Sequence, residues 1–192
     1  MPKPNVKQQL LDASLHLLHS RGFNATSVQD ITAAAGVPKG SFYNHFSSKE
    51  ALGLEVLQKY LAQAGELSSL LTDSAVPVRE RVRNYYRALG ACNAEHAYAR
   101  GCMIGNFSTE LSQQVPAIRT QLQQAYTGSR RLLESAVMDG QRSGEIDAAL
   151  PAAELADFIV DAWQGAVLRS KTAGDAAPLE RFITVVLDRV LA

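Results

Sequence analysis

Apolar residues recur three and four positions apart along most of the chain, whereas alternating β-branched stretches are scarce. A repeat near 3.6 residues places apolar side chains on one face of a helix, so the pattern predicts an all-α protein. Glycines, prolines and capping residues set the expected helix ends. The predicted helices cover residues 5–21, 27–35, 38–45, 48–71, 78–95, 102–113, 116–142, 151–171 and 177–191.

A break in this pattern at residues 73–77 separates a small N-terminal region from a larger helical body. We interpret residues 1–47 as a helix-turn-helix DNA-binding domain. Residues 48–192 would form a ligand-sensing and dimerisation domain. Its first helix, residues 48–71, would link the two parts.

Residues 26–46 carry the most informative local pattern in the chain. Gly36 is expected to adopt a positive φ at a tight turn between two short helices. Thr26 or Ser27 would cap the first of these helices, and Pro38 is tolerated in the first turn of the second. A helix-turn-helix of this kind places its second helix in the major groove of DNA.

The expected DNA contacts follow from the chemistry of this region. Gly40 and Ser41 are small enough to let the backbone approach base edges, and Lys39 would reach a phosphate or a guanine edge. Ser27 and Gln29 lie near a helix start, where free amides favour a phosphate, although Ser27 is equally typical of a cap. The candidate contacts are Ser27, Gln29, Lys39, Gly40, Ser41, Tyr43, Asn44, His45 and Lys49.

The remaining residues of this region divide between DNA and the protein core. Tyr43 and Lys49 suit phosphate contacts through a hydroxyl and an ammonium group. Asn44 would read adenine or bind the DNA backbone, and the sequence leaves both open. Phe42 and Phe46 are more typical of core positions.

A set of short motifs carries a family resemblance: Gly22-Phe23, Thr26-Ser27-Val28, Asp30-Ile31, Ala35-Gly36-Val37, Gly40-Ser41, Phe42-Tyr43, His45-Phe46 and Lys49-Glu50. Together they resemble the TetR family of one-component transcriptional regulators, most densely across residues 8–57. The resemblance implies a homodimer that binds double-stranded palindromic operator DNA. Such proteins are usually repressors that a ligand releases.

Cys102 follows Arg100 and Gly101 and is predicted near the start of a helix. A helix N-terminus and a nearby cation both stabilise a thiolate, so this thiol would react with electrophiles or hypochlorite. The Arg-Gly-Cys-Met pattern is similar to the family branch that represses reductase genes and responds to electrophiles and reactive chlorine species. That similarity implies that Cys102 is a sensor and that Lys171 lies close to it. A cysteine that only packs around a ligand pocket is the alternative.

A reversible apolar ligand is the other effector that the sequence leaves open. Its pocket would lie between the helices of the body, where mixed Tyr, Met and Trp content suits an aromatic or apolar compound. Each of these residues is also typical of an ordinary core. The candidate pocket residues are Tyr86, Met103, Phe107, Tyr126 and Trp163.

The last two predicted helices suit a dimer interface. The helix over 151–171 is apolar on more than one face, so it needs both an inner and an outer partner. Two such helices from each chain would form an intersubunit four-helix bundle, unless the stripes only close the core of one chain. The candidate interface residues are Phe158, Gly165, Phe182, Val185, Val186 and Arg189.

Charge and composition limit the classes of protein. Nineteen basic residues balance nineteen acidic ones, so no global positive field points to DNA and that interpretation depends on the motif. No apolar run approaches the ~18 residues of a membrane span, and residues 1–7 lack a signal-peptide core. We therefore expect a cytoplasmic protein, in which two cysteines are too few for a disulfide framework.

An enzyme is the rival class. His96 is the one histidine near Cys102 in the sequence, no Asp or Glu is placed to orient it, and no phosphate loop or metal-ligand spacing is present. We expect no catalysis, no cofactor and no metal. A thiol sensor that has lost DNA binding is a third class, against which the DNA-binding residues Lys39, Tyr43 and Lys49 argue.

Overall fold

Helices form the regular structure of residues 5–192, the residues that the computed structural model describes. Residues 1–4, where the predicted first domain begins, lie outside this range. No strand occurs among the described residues, and the prediction of an all-α fold is confirmed. The helices are α1 (Val6–Arg21), α2 (Val28–Ala34), α3 (Lys49–Gly65), α4 (Ser69–Thr72), α5 (Val78–Ala94), α6 (Met103–Leu111), α7 (Pro116–Ser143), α8 (Ala152–Ala173) and α9 (Ala177–Val185).

Three tighter or wider helical segments complete the fold. Lys39–Asn44 and Glu66–Ser68 are 3₁₀-helical, and Val186–Val190 is a π-helical turn that extends α9. The predicted α-helix over 38–45 is therefore wrong in type: Ser41 N–H donates to Pro38 O at 2.9 Å, three residues back. 3₁₀-helices commonly occur as short segments of this kind.

The predicted helix over 48–71 is helical from Lys49 onward, but a 3₁₀ segment divides it into α3 and α4. The α-helix ends at Gly65, which is among the least favourable residues in a helix. Ser68 Oγ then donates to Gly65 O at 2.6 Å, and Ser69 Oγ donates to Glu66 O at 3.1 Å. These side-chain bonds engage backbone carbonyls near the break, where short polar side chains commonly offer the backbone an alternative to helix.

The first compact unit contains residues up to 62 together with 103–123. Its buried core draws on α1, α2, the Lys39–Asn44 segment, α3, α6 and the start of α7. The predicted division at residue 47 did not foresee that α6 groups with the N-terminal helices. The largest fully buried side chains of this core are Leu10, Leu18, Ile31, Phe42, Leu52, Leu57, Met103, Phe107, Leu111 and Ile118.

The second unit contains residues 63–102 and 124–192. Its core is formed by α5, the later part of α7, α8 and α9, and includes Val82, Tyr86, Leu133, Ile159 and Trp163. Within residues 5–192 no helix is both long and apolar enough to cross a membrane.

Candidate DNA-binding surface and effector site

The turn between α2 and the following helical segment depends on Gly36. Its φ is +66°, the left-handed region that a side chain would strain, and this confirms the expected turn. Val37 N–H donates across the turn to Thr32 O at 3.0 Å. The turn thus sets the direction of Lys39–Asn44, which we call the recognition segment.

The recognition segment is held from inside by aromatic residues. Phe42 is fully buried and Phe46 is 3% exposed, as predicted for core residues. Their ring centroids lie 5.6 Å apart. Tyr43 stands edge-on to Phe42 at 5.2 Å but is 61% exposed. A large aromatic side chain therefore contacts the core and is still mostly open to solvent.

Most of the polar residues that are predicted to contact DNA from this segment are also open to solvent. Lys39, Gly40, Asn44 and His45 are exposed, and Ser41 is half-buried. A Cβ added to Gly40 would meet no atom within 4 Å. Nothing inside the protein therefore requires a glycine at this position.

The start of α2 is closed by a capping box. Ser27 Oγ accepts from Asp30 N–H at 3.1 Å, and Asp30 Oδ2 accepts from Ser27 N–H at 2.8 Å. Hydrogen bonds from the Ser27 hydroxyl and then its amide hold the pKa of Asp30 below its usual value. Ser27 is thus the N-cap, and its predicted phosphate contact stays a prediction, as does that of the exposed Gln29.

Lys49 has an internal role that the sequence analysis did not foresee. Its Nζ donates to the carbonyls of Phe23 and Thr26, both at 3.0 Å. The same ammonium group lies 4.1 Å from the centre of the Phe23 ring. These bonds direct the charge toward the loop before α2, where two carbonyls and an aromatic face converge, and the phosphate contact predicted for Lys49 stays a prediction.

Cys102 directly precedes the first residue of α6 and is half-buried. Gln164 Nε2 of α8 donates to its Sγ at 3.8 Å. Burial raises the pKa of the Tyr85 hydroxyl on α5, and the charge of Cys102 adds to that rise. The thiol thus accepts a hydrogen bond from an amide of the second unit.

The backbone just before Cys102 has several residues with positive φ. Ala97 and Tyr98 both have positive φ, 49° and 61°, and Gly101 has φ +68°. Positive φ at non-glycine residues costs of order 1–3 kcal/mol each and persists only where the surroundings impose it. In the same bend, Arg100 Nη1 lies 2.6 Å from His96 Nε2.

Two of the predicted pocket residues meet in an aromatic cluster. Tyr86 and Trp163 have ring centroids 4.9 Å apart, and Phe182 completes the cluster at 4.9 Å from Tyr86 and 5.1 Å from Trp163. Burial, and then the neighbouring Tyr85, raises the pKa of Tyr86 well above its usual value. Tyr126 is half-buried on α7.

Met103 and Phe107 do not join this aromatic cluster. Both are fully buried in the first unit, where the Phe107 ring centroid lies 6.0 Å from that of Phe23. Their placement follows from α6, whose apolar face packs among the N-terminal helices. As candidate wall residues of a body pocket, they are better explained by packing.

Gln164 is an α8 residue that donates to the thiol, and the predicted closeness of Lys171 to Cys102 stays a prediction. Lys171 is half-buried two turns later, about 10 Å further along the helix axis. Sequence reasoning missed Gln164, although a signal existed. Positions seven apart share a helix face, so Gln164 lies on the same face of α8 as Lys171 and was an alternative candidate for this contact.

One face of α8 exposes large apolar side chains. Phe158 is 55% exposed and Leu168 is 64% exposed, and Gly165 between them has no atom within 4 Å of an added Cβ. On α9 and its extension, Val185 and Arg189 are exposed as well. We call this set of exposed residues, Phe158, Gly165, Leu168, Val185 and Arg189, the α8–α9 face.

Phe182 and Val186 do not belong to the α8–α9 face. Both were predicted for the dimer interface, yet they are 7% and 2% exposed within the chain's own core. Residues four apart share a helix face, so these two point inward together. Val185 lies on the neighbouring, outward face.

Comparison with known proteins decides the family. The family described as "Bacterial regulatory proteins, tetR family" matches residues 10–56, and "Tetracyclin repressor-like, C-terminal domain" matches residues 78–186. The chain belongs to the TetR family. TetR-family proteins are DNA-binding transcriptional regulators, so the predicted class is confirmed and the enzyme class is set aside.

Similar TetR-family relatives span nearly the whole chain. The transcriptional repressor DhaR of Mycobacterium sp. (strain GP1) is 41% identical, covering 100% of this chain and 95% of the relative. The transcriptional repressor NemR of Escherichia coli (strain K12) is 28% identical, covering 95% and 92%. A crystal structure described as the reduced form of E. coli NemR aligns with a TM-score of 0.82, covering 96% and 97% at 28% identity.

A TetR regulatory protein from Rhodobacter sphaeroides is also similar in structure. It aligns with a TM-score of 0.89 at 30% identity, covering 96% of this chain and 98% of the other. The predicted DNA-binding head and helical body are therefore those of a known TetR-family architecture.

Proposed function

We propose that this TetR-family protein is a homodimeric repressor that releases a palindromic operator when Cys102 is modified by an electrophile or an oxidant. The observation that carries the proposal is the setting of Cys102: a half-buried thiol that accepts from Gln164 and directly precedes the first residue of α6. An adduct there would displace the Gln164 amide from the sulfur.

DNA recognition is assigned to the recognition segment. Its exposed polar residues stand on a buried aromatic base, so they would reach DNA without losing their own support. Lys39 and Tyr43 would contact phosphates, while Gly40 and Ser41 would let the backbone approach the bases. Gln29, Asn44 and His45 would complete the contacts from exposed positions.

The α8–α9 face would join two copies of the chain. Its exposed Phe158 and Leu168 would be buried against the partner, and Gly165 would permit close approach of the two helices. A two-fold dimer presents two recognition segments, which a palindromic operator matches about one DNA turn apart.

The proposed chemistry at Cys102 is nucleophilic attack by sulfur in its thiolate form, which is the reactive form of any cysteine. With a Michael acceptor, Sγ forms a bond to the β-carbon, and a proton from solvent ends on the α-carbon. With hypochlorite, Sγ takes the chlorine and releases hydroxide. Water then displaces chloride to leave a sulfenic acid, which a thiol reduces back through a disulfide. Both products enlarge the residue beside the Gln164 amide.

Operator binding with and without thiol modification tests this proposal. Fluorescence anisotropy would measure the affinity of the reduced protein for the DNA flanking its own gene, at fixed salt. Stoichiometric hypochlorite should lower the affinity at least tenfold and added thiol should restore it. N-ethylmaleimide should lower it irreversibly.

Cys92 offers a matched control, because it is the exposed cysteine of the same chain. Cys102→Ser should bind the operator and ignore both reagents, whereas Cys92→Ser should respond like the wild type. A Cys102→Ser protein that is still released by the reagents would contradict the proposed sensor.

A reversible apolar ligand is the second candidate effector. It is favoured by the aromatic cluster of Tyr86, Trp163 and Phe182, which lies in the core of the second unit. Trp163 is the single tryptophan, so its fluorescence reports on this cluster directly. A compound that shifts this emission and releases DNA from Cys102→Ser would establish this mode of release instead.

A further inference from the structure

The loop between α1 and α2, residues 22–26, is held by two oppositely charged side chains. Glu110 Oε2 of α6 accepts from Asn24 N–H at 2.7 Å. From α3, Lys49 Nζ donates to the carbonyls of Phe23 and Thr26. The capping box of α2 begins at the next residue, Ser27.

We propose that Glu110 is a positioning residue for operator binding. By holding Asn24 it fixes the loop from which α2 starts, and α2 leads through the Gly36 turn to the recognition segment. Glu110 would touch no DNA itself. Its effect on affinity would come through the position of α2 alone.

Gly22 makes the close approach of Glu110 possible. Its φ is +89°, and an added Cβ would stand 2.7 Å from Glu110 Oε1. The absence of a side chain therefore gives the carboxylate its place against the loop. A hydrogen bond from a backbone amide to a carboxylate is also stronger than one between neutral groups.

Hydrogen bonds within the loop connect its first residues to its last. Thr26 Oγ1 donates to Gly22 O at 2.7 Å, and Thr26 N–H donates to Phe23 O at 3.2 Å. Thr26 is also fully buried. A displacement of Asn24 should therefore also displace the start of α2.

Glu110 also connects the loop to α6. Met103, Phe107 and Leu111 bury the apolar face of α6 in the first unit, and Glu110 lies in its last turn. Cys102 directly precedes this helix. A shift of α6 on modification of Cys102, a step that rests on the proposed function, would draw Glu110 away from Asn24.

The sign of the effect separates positioning from electrostatics. Removing a negative charge from the unit that carries the recognition segment strengthens phosphate attraction and should tighten binding. Loss of a positioning contact should weaken it. Glu110→Ala is therefore expected to lower the affinity of the reduced protein for its operator about tenfold, as loss of a charge-assisted hydrogen bond would.

Glu110→Gln is the conservative variant that should restore part of the affinity lost in Glu110→Ala. Its amide oxygen can still accept from Asn24 N–H, so its affinity should fall between those of Glu110→Ala and the wild type. Glu50→Ala is the charge-matched control, since Glu50 is exposed on α3 of the same unit. It should bind as tightly as the wild type or more tightly.

Operator affinity should be measured by anisotropy on reduced proteins that circular dichroism shows to be folded at the assay temperature. Glu110→Ala binding within twofold of the wild type, or tightening like Glu50→Ala, would overturn the proposal. A Glu110→Gln protein as weak as Glu110→Ala would also count against it, because the acceptor would then not matter.

The same proteins separate this inference from the proposed sensor. If hypochlorite fails to release the wild type but Glu110→Ala still binds weakly, Cys102 sensing fails and the positioning role stands. If hypochlorite releases the wild type and Glu110→Ala binds weakly, both inferences hold. Hypochlorite should then lower the affinity of Glu110→Ala by a smaller factor than it lowers that of the wild type, because part of the affinity is already lost. An unchanged fold-change would show that α6 does not act through Glu110.

Discussion

At the scale of single residues, Gly40 separates a folding requirement from a functional one. Glycine is needed at Gly36 because of its positive φ, and at Gly22 because of both φ and a neighbouring carboxylate. Neither reason applies to Gly40, which faces open space. An exposed glycine that the fold does not require points to a partner that comes close to its backbone.

We therefore predict that Gly40→Ala weakens operator binding without harming the fold. The free energy of unfolding should stay the same or rise by about 0.4–1 kcal/mol, because alanine restricts the unfolded chain. The methyl group would stand between the backbone and the bases, so affinity should fall on the order of tenfold, within the range of one lost base contact. Thermal unfolding and anisotropy measure the two effects.

Gly128→Ala is the control for this substitution. Gly128 lies in α7, and an added Cβ there also meets nothing within 4 Å. It should gain stability in the same way and bind the operator like the wild type. If Gly40→Ala matched it in both measurements, Gly40 would not lie against the bases.

At the scale of helices, the start of α2 depends on ionised Asp30. The folded pKa of Asp30 lies below its usual value of 3.8 because Ser27 donates to the carboxylate. A lowered pKa means that the contribution to stability is complete above the unfolded pKa. It is lost as pH falls through the folded pKa.

We predict that Ser27→Ala reduces the acid sensitivity of the head. Without the hydroxyl the pKa of Asp30 should move back toward its usual value, so less stability is lost between about pH 4 and 2. Melting temperatures at pH 7 and pH 3, followed by circular dichroism, would show a smaller difference than in the wild type. An equal difference would mean that other carboxylates, such as the lysine-paired Asp12, dominate acid unfolding.

The helix-turn-helix could be predicted from the sequence because its determinants are local. The Gly36 turn and the Ser27 cap act within a few residues, and the buried Phe42 and Phe46 follow from a short apolar spacing. The type of the recognition segment was missed, since α- and 3₁₀-helices share nearly the same side-chain pattern over six residues. Local sequence signals predict the position of a short helix better than they predict its type, α or 3₁₀.

The contacts around the candidate sensor could not be predicted in the same way. Gln164 and Cys102 are 62 positions apart, and Glu110 and Asn24 are 86 apart. Hydrophobic periodicity shows that α6 has a buried face but not which helices cover it. For the same reason the sequence did not show that Met103 and Phe107 pack in the core of the first unit, or that Lys49 donates to two loop carbonyls.

At the scale of the whole molecule, the α8–α9 face is where two chains would meet. Phe158 and Leu168 are large apolar residues on one face of one helix, and both are more than half exposed. Large apolar side chains exposed on one side of a helix are the kind of surface that a protein–protein interface buries. A homodimer uses such a surface twice, once on each copy.

We predict that the double substitution Phe158→Glu, Leu168→Glu converts the dimer to a folded monomer. The two carboxylates would have to lose water at the interface, whereas in the monomer they remain solvated. Analytical ultracentrifugation should give half the wild-type mass, and the circular dichroism spectrum should stay helical. Met138→Glu is the control, since Met138 is 46% exposed on α7, and it should leave the mass unchanged.

Operator binding by this monomer would test how the dimer contributes to affinity. When two recognition segments are joined, the second half-site binds at a high effective concentration, and separation removes that advantage. The monomer should therefore bind a palindromic operator at least a hundredfold more weakly, yet bind a single half-site no worse than the wild-type dimer does. Equal losses on both DNAs would instead indicate damage to the recognition segment, and a retained dimer would move the interface away from the α8–α9 face.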